Sequence, residues 1–458
     1  MIAAALPSTG ALAAIALAAA VAIAVLTVVM RRDPRAFPVL AIVALPFRLP
    51  ISSDGRTVNL LLPLYAVVAA GVLAHLLPRL RRRPGSYDSG RPPMVLDWLL
   101  LASVVLYALQ ASYSTDAVKA AENLAFFYIP FGLLYVLLRE APWTRALALT
   151  CLGAAVALAV LFAGVGFIEY YRKALFLNPK VVAANEYGNY FRVNSLFFDP
   201  SIYGRFLALV MIAVTTTVLW GRQRRTQVLG ALALAWLMGG LITSFSQSSI
   251  AALLLGLAVL AAWRWDLRST VYVAIALGAI AAVFVAVAPS SLHFGLNGSG
   301  GSANNATNGR TKLISGGLDL FAQKPLVGYG SGSFETEYKR HGNATSANAT
   351  SASHTIPVTI AAEQGIVGFA LYVALLAVAF LTLFSRVGRS PPRIAVAACF
   401  AALVLHTWVY ADFLEDPLTW TLLGVGVAFA AARDGFFAGD NRARASEGSP
   451  TSLLAAPG

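Results

Sequence analysis

Long apolar runs recur from one end of the chain to the other, broken by short polar segments. They fall near residues 8–30, 36–50, 58–77, 95–112, 117–138, 145–166, 199–220, 227–243, 248–263, 270–288, 357–385, 394–411 and 417–433. An apolar run of about 18 residues or more, wound as a helix, crosses a bilayer with every backbone group bonded internally. The pattern predicts an all-α polytopic membrane protein with roughly twelve to thirteen transmembrane helices. The run at 36–50 is short and carries Pro46 and Pro50, which predicts a kinked or re-entrant segment. Four blocks follow. An N-terminal bundle over 1–288 holds a polar loop at 167–198, and a large polar loop over 289–356 contains short helices. Further helices fill 357–433, and a disordered tail closes the chain at 434–458.

Composition agrees with the pattern. The chain is 58% hydrophobic and 12% charged, with mean hydropathy +0.71, more apolar surface than a soluble domain can bury. Net charge +13 raises the question of nucleic acid, but the positives lie in short loops between apolar runs, so no nucleic-acid partner is expected. Cys151 and Cys399 both sit inside apolar runs, which argues against a disulfide or thiolate metal site. The first run has no basic residue before it and RRDPR after it, the reverse of a cleavable signal; an uncleaved span with its N-terminus outside is expected.

Arginine sets the topology. RRDPR, PRLRRRPGSYDSGRPP, REAPWTR, GRQRRTQ, RWDLRS, RVGRSPPR and the RARASEG tail fill one set of alternate loops, which are expected to face the cytoplasm. SSDGR, YSTDA, 167–198, SFSQS, 289–356 and DFLEDP fill the other set and are expected outside. Two outward loops are much longer than the rest and are the places to look for function.

The first long loop ends in EYGNYFRVNSLFFDPSIYGRFLALVM, placing Arg192 before the next span and Arg205 just inside it. A guanidinium at the membrane boundary needs a partner: Asp199, a lipid headgroup, or a bound anion whose phosphate oxygens match its planar fork. In SFSQS the serines are expected to cap the following helix. In the second loop, GRTKLISGGLDLFAQ has the spacing of an amphipathic helix with Leu313, Leu320 and Phe321 on one side. KPLVGYGSGSF has no strand-to-helix context and no Lys-Ser/Thr, so its glycines predict tight turns close to a ligand or to neighbouring helices rather than a nucleotide site. The residues from Glu335 to Ser353 read as a flexible connector. His354 precedes Pro357 at the start of an apolar run, and Glu363 lies about two turns into that run. An imidazole there is suited to taking a proton from a sugar hydroxyl.

The stretch GRTKLISGGLDLFAQKPLVGYGSGSF followed by SHTIPVTIAAEQGIVGF resembles the signature region of the O-antigen ligase and O-antigen polymerase superfamily. FRVNSLFFDPSIYGRFLAL is similar to that family's earlier outward arginine motif, and HTWVYADFLEDPLTWTLLG to its final helix pair. The resemblance implies transfer of a glycan from a polyprenyl diphosphate carrier to a lipid, glycan or protein acceptor hydroxyl, on the outer face of the cytoplasmic membrane. It also implies inversion at the anomeric carbon. No nucleotide sugar, cofactor or metal is expected: the chain has no Asp-x-Asp and no His/Glu metal spacing. Under the resemblance Arg192, Arg205 and Arg310 would hold the diphosphate, His354 would be the base, and Glu363 its orienter or an alternative base. Two other readings stay open: a transporter or channel using Glu363, Glu122 and His406, and a non-catalytic subunit of an envelope assembly.

Overall fold

The computed structural model describes residues 9–53, 56–80, 94–177, 191–265, 272, 310–341, 355–385, 387 and 390–431. It is all-α apart from one hairpin. In chain order the helices are α1 (Thr9–Arg32), α2 (Ala36–Ala44), α3 (Leu62–Arg79), α4 (Val95–Ala111), α5 (Ala117–Glu140), α6 (Arg145–Arg172) and α7 (Pro200–Trp220). They continue with α8 (Arg224–Thr243), α9 (Gln247–Arg264), α10 (Arg310–Gln323), α11 (Phe334–Arg340), α12 (Ile356–Phe384), α13 (Pro391–Trp408) and α14 (Pro417–Ala431). Among the described residues eight helices are long and apolar enough to cross a membrane: α3, α5 to α9, α12 and α13. Helices α4 and α14 are apolar but shorter. The apolar run at 270–288 lies outside the described residues except for Tyr272.

The expected span at 36–50 is corrected. Helix α2 has only nine residues, and the chain then forms an antiparallel hairpin, β1 (Leu49–Ser53) with β2 (Arg56–Leu60), Ser53 facing Arg56. Pro46 and Pro50 explain the stop: proline ends a helix and biases the residue before it to extended backbone.

Three of the described helices are interrupted: α3 by a wide π-type turn over Val72–Leu76, and α5 and α12 by breaks that a side chain or a loop fills. In α5 a wide π-type turn covers Leu124–Tyr128, next to Pro130. Pro130 has no N–H to give Phe126, and the Tyr65 hydroxyl donates to that carbonyl instead at 2.7 Å. In α12 the break is at Gly365, whose φ of 64° and ψ of −163° belong to glycine.

Two buried clusters form the core. One joins α1 to α6 with α12 to α14 around Phe131, Trp420 and Phe400; the other joins α6 to α9 and α13 around Phe162, Tyr203 and Phe206. At one end of the bundle Arg139 pairs with Asp97 at 3.1 Å and with Glu140 at 2.6 Å, among the arginine-rich connections. Elsewhere hydrogen bonds join 113–117 to 324–341 and 191–199 to 244–248, while Glu415 and Asp416 of 408–416 reach Asn123 and Arg205. These are the segments that the arginine pattern assigned to one side.

Candidate functional site

The glycine-rich loop after α10 docks into the break in α12. Gly365 leaves three carbonyls without helical donors, and each finds another. Ala362 O accepts from Tyr329 N–H at 3.3 Å, Glu363 O from Gly330 N–H at 2.8 Å, and Gln364 O from the Gln110 side-chain amide at 3.2 Å. The freed Ile366 N–H donates to Pro325 O at 2.7 Å. Non-helical backbone at this depth is tolerated because protein groups satisfy it. The loop turns at Gly328, Gly330 and Gly332, all with positive φ. A Cβ on Gly330 would lie 2.3 Å from Ser114 Cα, so only glycine lets the loop touch the α4–α5 connection. That contact is sealed by Ser114 Oγ donating to Ser331 O at 2.7 Å and Ser331 Oγ donating to Tyr107 O at 3.0 Å.

Glu363 ties this junction together. Its Oε2 accepts from Gly332 N–H at 2.9 Å and its Oε1 from Phe334 N–H at 3.0 Å. Both oxygens are engaged by backbone donors, the arrangement that positions a loop. Beyond it, α11 begins at once, so the connector expected from Glu335 is corrected over Glu335–Arg340, which is helical: Phe334 and Tyr338 are buried against Leu313 and Leu320 of α10. Glu337 is buried there too, held by Arg340 at 2.7 Å, with His341 Nδ1 at 3.6 Å from its carboxylate.

Beside this junction lies a cavity of about 580 Å³, walled by α4, α5, α11, α12 and the turn before α14. Its ionisable lining is Asp116, Lys119, Glu122, Glu335, Lys339, Glu363, Asp412 and Glu415, with Asn123, Tyr107, Tyr128 and Tyr372 among the uncharged polar groups. Asn123 Nδ2 donates to the Tyr107 hydroxyl at 2.8 Å and to Glu415 Oε1 at 2.9 Å. Its Oδ1 has no hydrogen-bond partner among the described residues, although the residue is 2% exposed. Tyr107 and Tyr128 stack with ring centroids 4.2 Å apart. Lys119 lies 3.9 Å from Glu122, and Thr336 Oγ1 donates to Asp116 at 2.9 Å. Asp412 and Glu415 are both part of this lining. Poor solvation there, and then the neighbouring Asp412 and Glu363 carboxylates, push Glu415 up to about 8 against the pull of Lys119 and Arg48. Asp412 is raised by the same desolvation, with Arg205 and Arg48 opposing it.

The arginines lie next to this lining without forming part of it, Arg205 and Arg48 being near enough to act on Asp412. Arg205, 1% exposed, pairs with Asp416, and neither of its other nitrogens, Nε and Nη1, has a hydrogen-bond acceptor among the described residues. The expected alternative partner Asp199 instead caps α7, accepting from Ser201 N–H at 2.7 Å. Arg192 Nε donates to Ser244 O at 3.2 Å, and Arg48 lies over the Phe198 ring at 5.8 Å. Ser246 caps α9 as expected. Ser248 and Ser249 each lie 3.2 Å from His406 Nε2.

Of the five predicted site residues, the fold places Glu363 on the cavity wall. Arg205 and Arg192 lie outside that lining. Arg310 is the first residue of α10, its side chain outside the described residues, and His354 lies wholly outside them. The next described residues, Thr355 and Ile356, begin the chain's run into α12, and Ile356 lines the cavity. Sequence reasoning missed Asn123, Asp412, Glu415 and Asp416. Their signal was a charged break, DFLEDP, and KAAEN at the head of an apolar run. The three groups of the transporter reading all have local partners: Glu363 two backbone amides, Glu122 Lys119, and His406 two serines.

One region of the chain has a family match. Residues 232–373 match the family model described as O-antigen ligase. This stretch is similar to O-antigen ligases. The matched segment runs from within α8 through the glycine loop to beyond the break in α12, and so contains Arg310, His354 and Glu363. The family is one of membrane glycosyl transfer. No curated protein matches the chain.

Proposed function

We propose that the chain transfers a glycan from a polyprenyl diphosphate carrier to an acceptor hydroxyl at the outer face of the cytoplasmic membrane. One observation carries the reading: the segment that matches the O-antigen ligase model contains the stretch that the fold locks against a partly open polar cavity. In the proposed step the acceptor oxygen attacks the anomeric carbon. The bond from that carbon to the diphosphate oxygen breaks, its electron pair leaves with the polyprenyl diphosphate, and the acceptor proton passes to the His354 imidazole. In-line attack inverts the anomeric centre. Arg310, Arg192 and Arg205 supply positive charge to the leaving group, a role suited to guanidinium at any working pH. Glu363 holds the glycine loop in place beside the reacting atoms. The step needs no divalent metal, because diphosphate is already a good leaving group.

The test is transfer by the purified chain with carrier-linked glycan and acceptor. Arg310→Ala and His354→Ala, each inserted and folded, are expected to lose roughly a hundredfold or more in rate. Near-normal transfer by either variant, or transfer that vanishes on chelation, refutes the assignment. Product size separates a ligase, which makes one transfer, from a polymerase, which makes a ladder.

A further inference from the structure

We propose that the cavity beside Glu363 is the acceptor pocket, and that it takes an uncharged or amine-bearing sugar chain while rejecting sugars that carry carboxylate or phosphate. This rests on the glycosyl-transfer reading. The first observation is the sign of the lining: six carboxylates against two lysines. Carboxylates outnumber lysines on this wall, so an anion entering the cavity meets like charge. A diphosphate therefore belongs elsewhere, and the arginines that suit it lie outside this lining. In-line displacement needs that separation, because nucleophile and leaving group approach the anomeric carbon from opposite sides. The acidic wall then defines the nucleophile's side.

The second observation is a free acceptor. Asn123 directs its Nδ2 toward Glu415 Oε1 at 2.9 Å and the Tyr107 hydroxyl at 2.8 Å, so both of its N–H groups are used within the protein. The Oδ1 that remains, buried on the cavity wall, has no protein donor among the described residues. A buried carbonyl of this kind costs free energy until something donates to it, and a sugar hydroxyl or ammonium does so. Carboxylate acceptors, an amide and tyrosine hydroxyls with apolar ring surface together match a polyhydroxylated ligand. The volume of about 580 Å³ is that of a small-molecule pocket.

The experiment uses the full chain in lipid nanodiscs and three soluble probes of equal length: an N-acetylglucosamine oligomer, a glucosamine oligomer and a galacturonate oligomer. Saturation-transfer NMR with competition reads relative affinity. The neutral and amino oligomers are expected to bind at least roughly tenfold more tightly than the galacturonate. Asn123→Ala and the near-isosteric Glu415→Gln, checked for monodisperse elution, are expected to weaken the neutral oligomer by roughly tenfold. Equal binding of the galacturonate by the unmodified chain, or unchanged binding in both folded variants, overturns the pocket. Capture of a short-chain polyprenyl diphosphate by the unmodified chain is measured in parallel. If the diphosphate binds and the sugars do not discriminate, the pocket falls and the donor reading stands; if no probe binds, both fall.

Discussion

Replacing Gly365 by alanine should undock the glycine loop from α12. The backbone there has φ 64° and ψ −163°, a region open essentially to glycine, and holding another residue in it costs about 1–3 kcal/mol. The new Cβ would also stand 2.4 Å from Leu326 O and 2.6 Å from Val327 N, both backbone atoms that cannot rotate away. The loop must withdraw, and with it go three bonds: Tyr329 N–H to Ala362 O, Gly330 N–H to Glu363 O, and Ile366 N–H to Pro325 O. At about 0.5–1.5 kcal/mol each, these contribute about 1.5–4.5 kcal/mol to the docked state. The strain alone should weaken the docked state by about 1–3 kcal/mol, roughly five- to a hundredfold in the docking equilibrium at about 1.4 kcal/mol per factor of ten, and the clash adds to it. Hydrogen exchange read by mass spectrometry is the assay, on the amides of Tyr329, Gly330, Gly332, Phe334 and Ile366. Those should lose protection together, while peptides from α7 and α13 keep theirs. Gly153→Ala is the control: its Cβ would meet nothing within 4 Å, and in mid-helix it should be neutral or slightly stabilising. Wild-type protection of the loop in the Gly365→Ala chain would refute the claim that this break holds the loop.

Three further outcomes follow from the same geometry. Glu363→Gln leaves one of the two backbone donors, Gly332 N–H or Phe334 N–H, without its carboxylate oxygen. It should cost about 1–3 kcal/mol of loop docking, so transfer rate and exchange protection fall together; a rate loss with full protection would make Glu363 the base instead. Arg205→Ala or Asp416→Ala strands a buried charge and should destabilise the chain by about 3–5 kcal/mol in thermal melts. The double variant Arg205→Met with Asp416→Leu should recover the melt, and recovery of transfer as well would remove Arg205 from the diphosphate. Glu415 sits at about 8, above its ordinary value, so the folded chain holds that proton more tightly than the unfolded one. Its contribution to stability is fully present below about pH 4.5 and is lost as pH rises through about 8. The melting temperature should fall over that window, with a shallower slope in Glu415→Gln; an unchanged slope refutes the assignment.

Much of this protein was legible in order along the chain. Apolar run length fixed the helical membrane class, because a bilayer admits only segments that satisfy their own backbone. Arginine placement sorted the connections into two sets, and the fold joins members of one set by hydrogen bonds. The glycines of KPLVGYGSGSF announced a close backbone approach, which Gly328, Gly330 and Gly332 make by their positive φ. Pro46 and Pro50 marked an irregular segment without saying that β1 and β2 would form there, since a hairpin depends on pairing that periodicity does not record.

Only the tertiary structure decided what these parts face. Gly365 reads as one more glycine in an apolar run; that the helix opens there, and which loop fills the opening, depends on residues up to 254 positions away in the case of Gln110. Asp416 rather than Asp199 meets Arg205, because Asp199 is spent on capping α7 and the turn before α14 brings Asp416 alongside. The acidic cavity draws one wall each from segments that sequence reading kept apart, Asn123 near the head of α5 and Glu415 before α14, 292 residues later. Charge sign in a cavity is a property of what converges on it, and convergence is set by helix packing. The chain's own order determines which segments enter the membrane; the packing of those segments determines which polar groups share the same water-poor space.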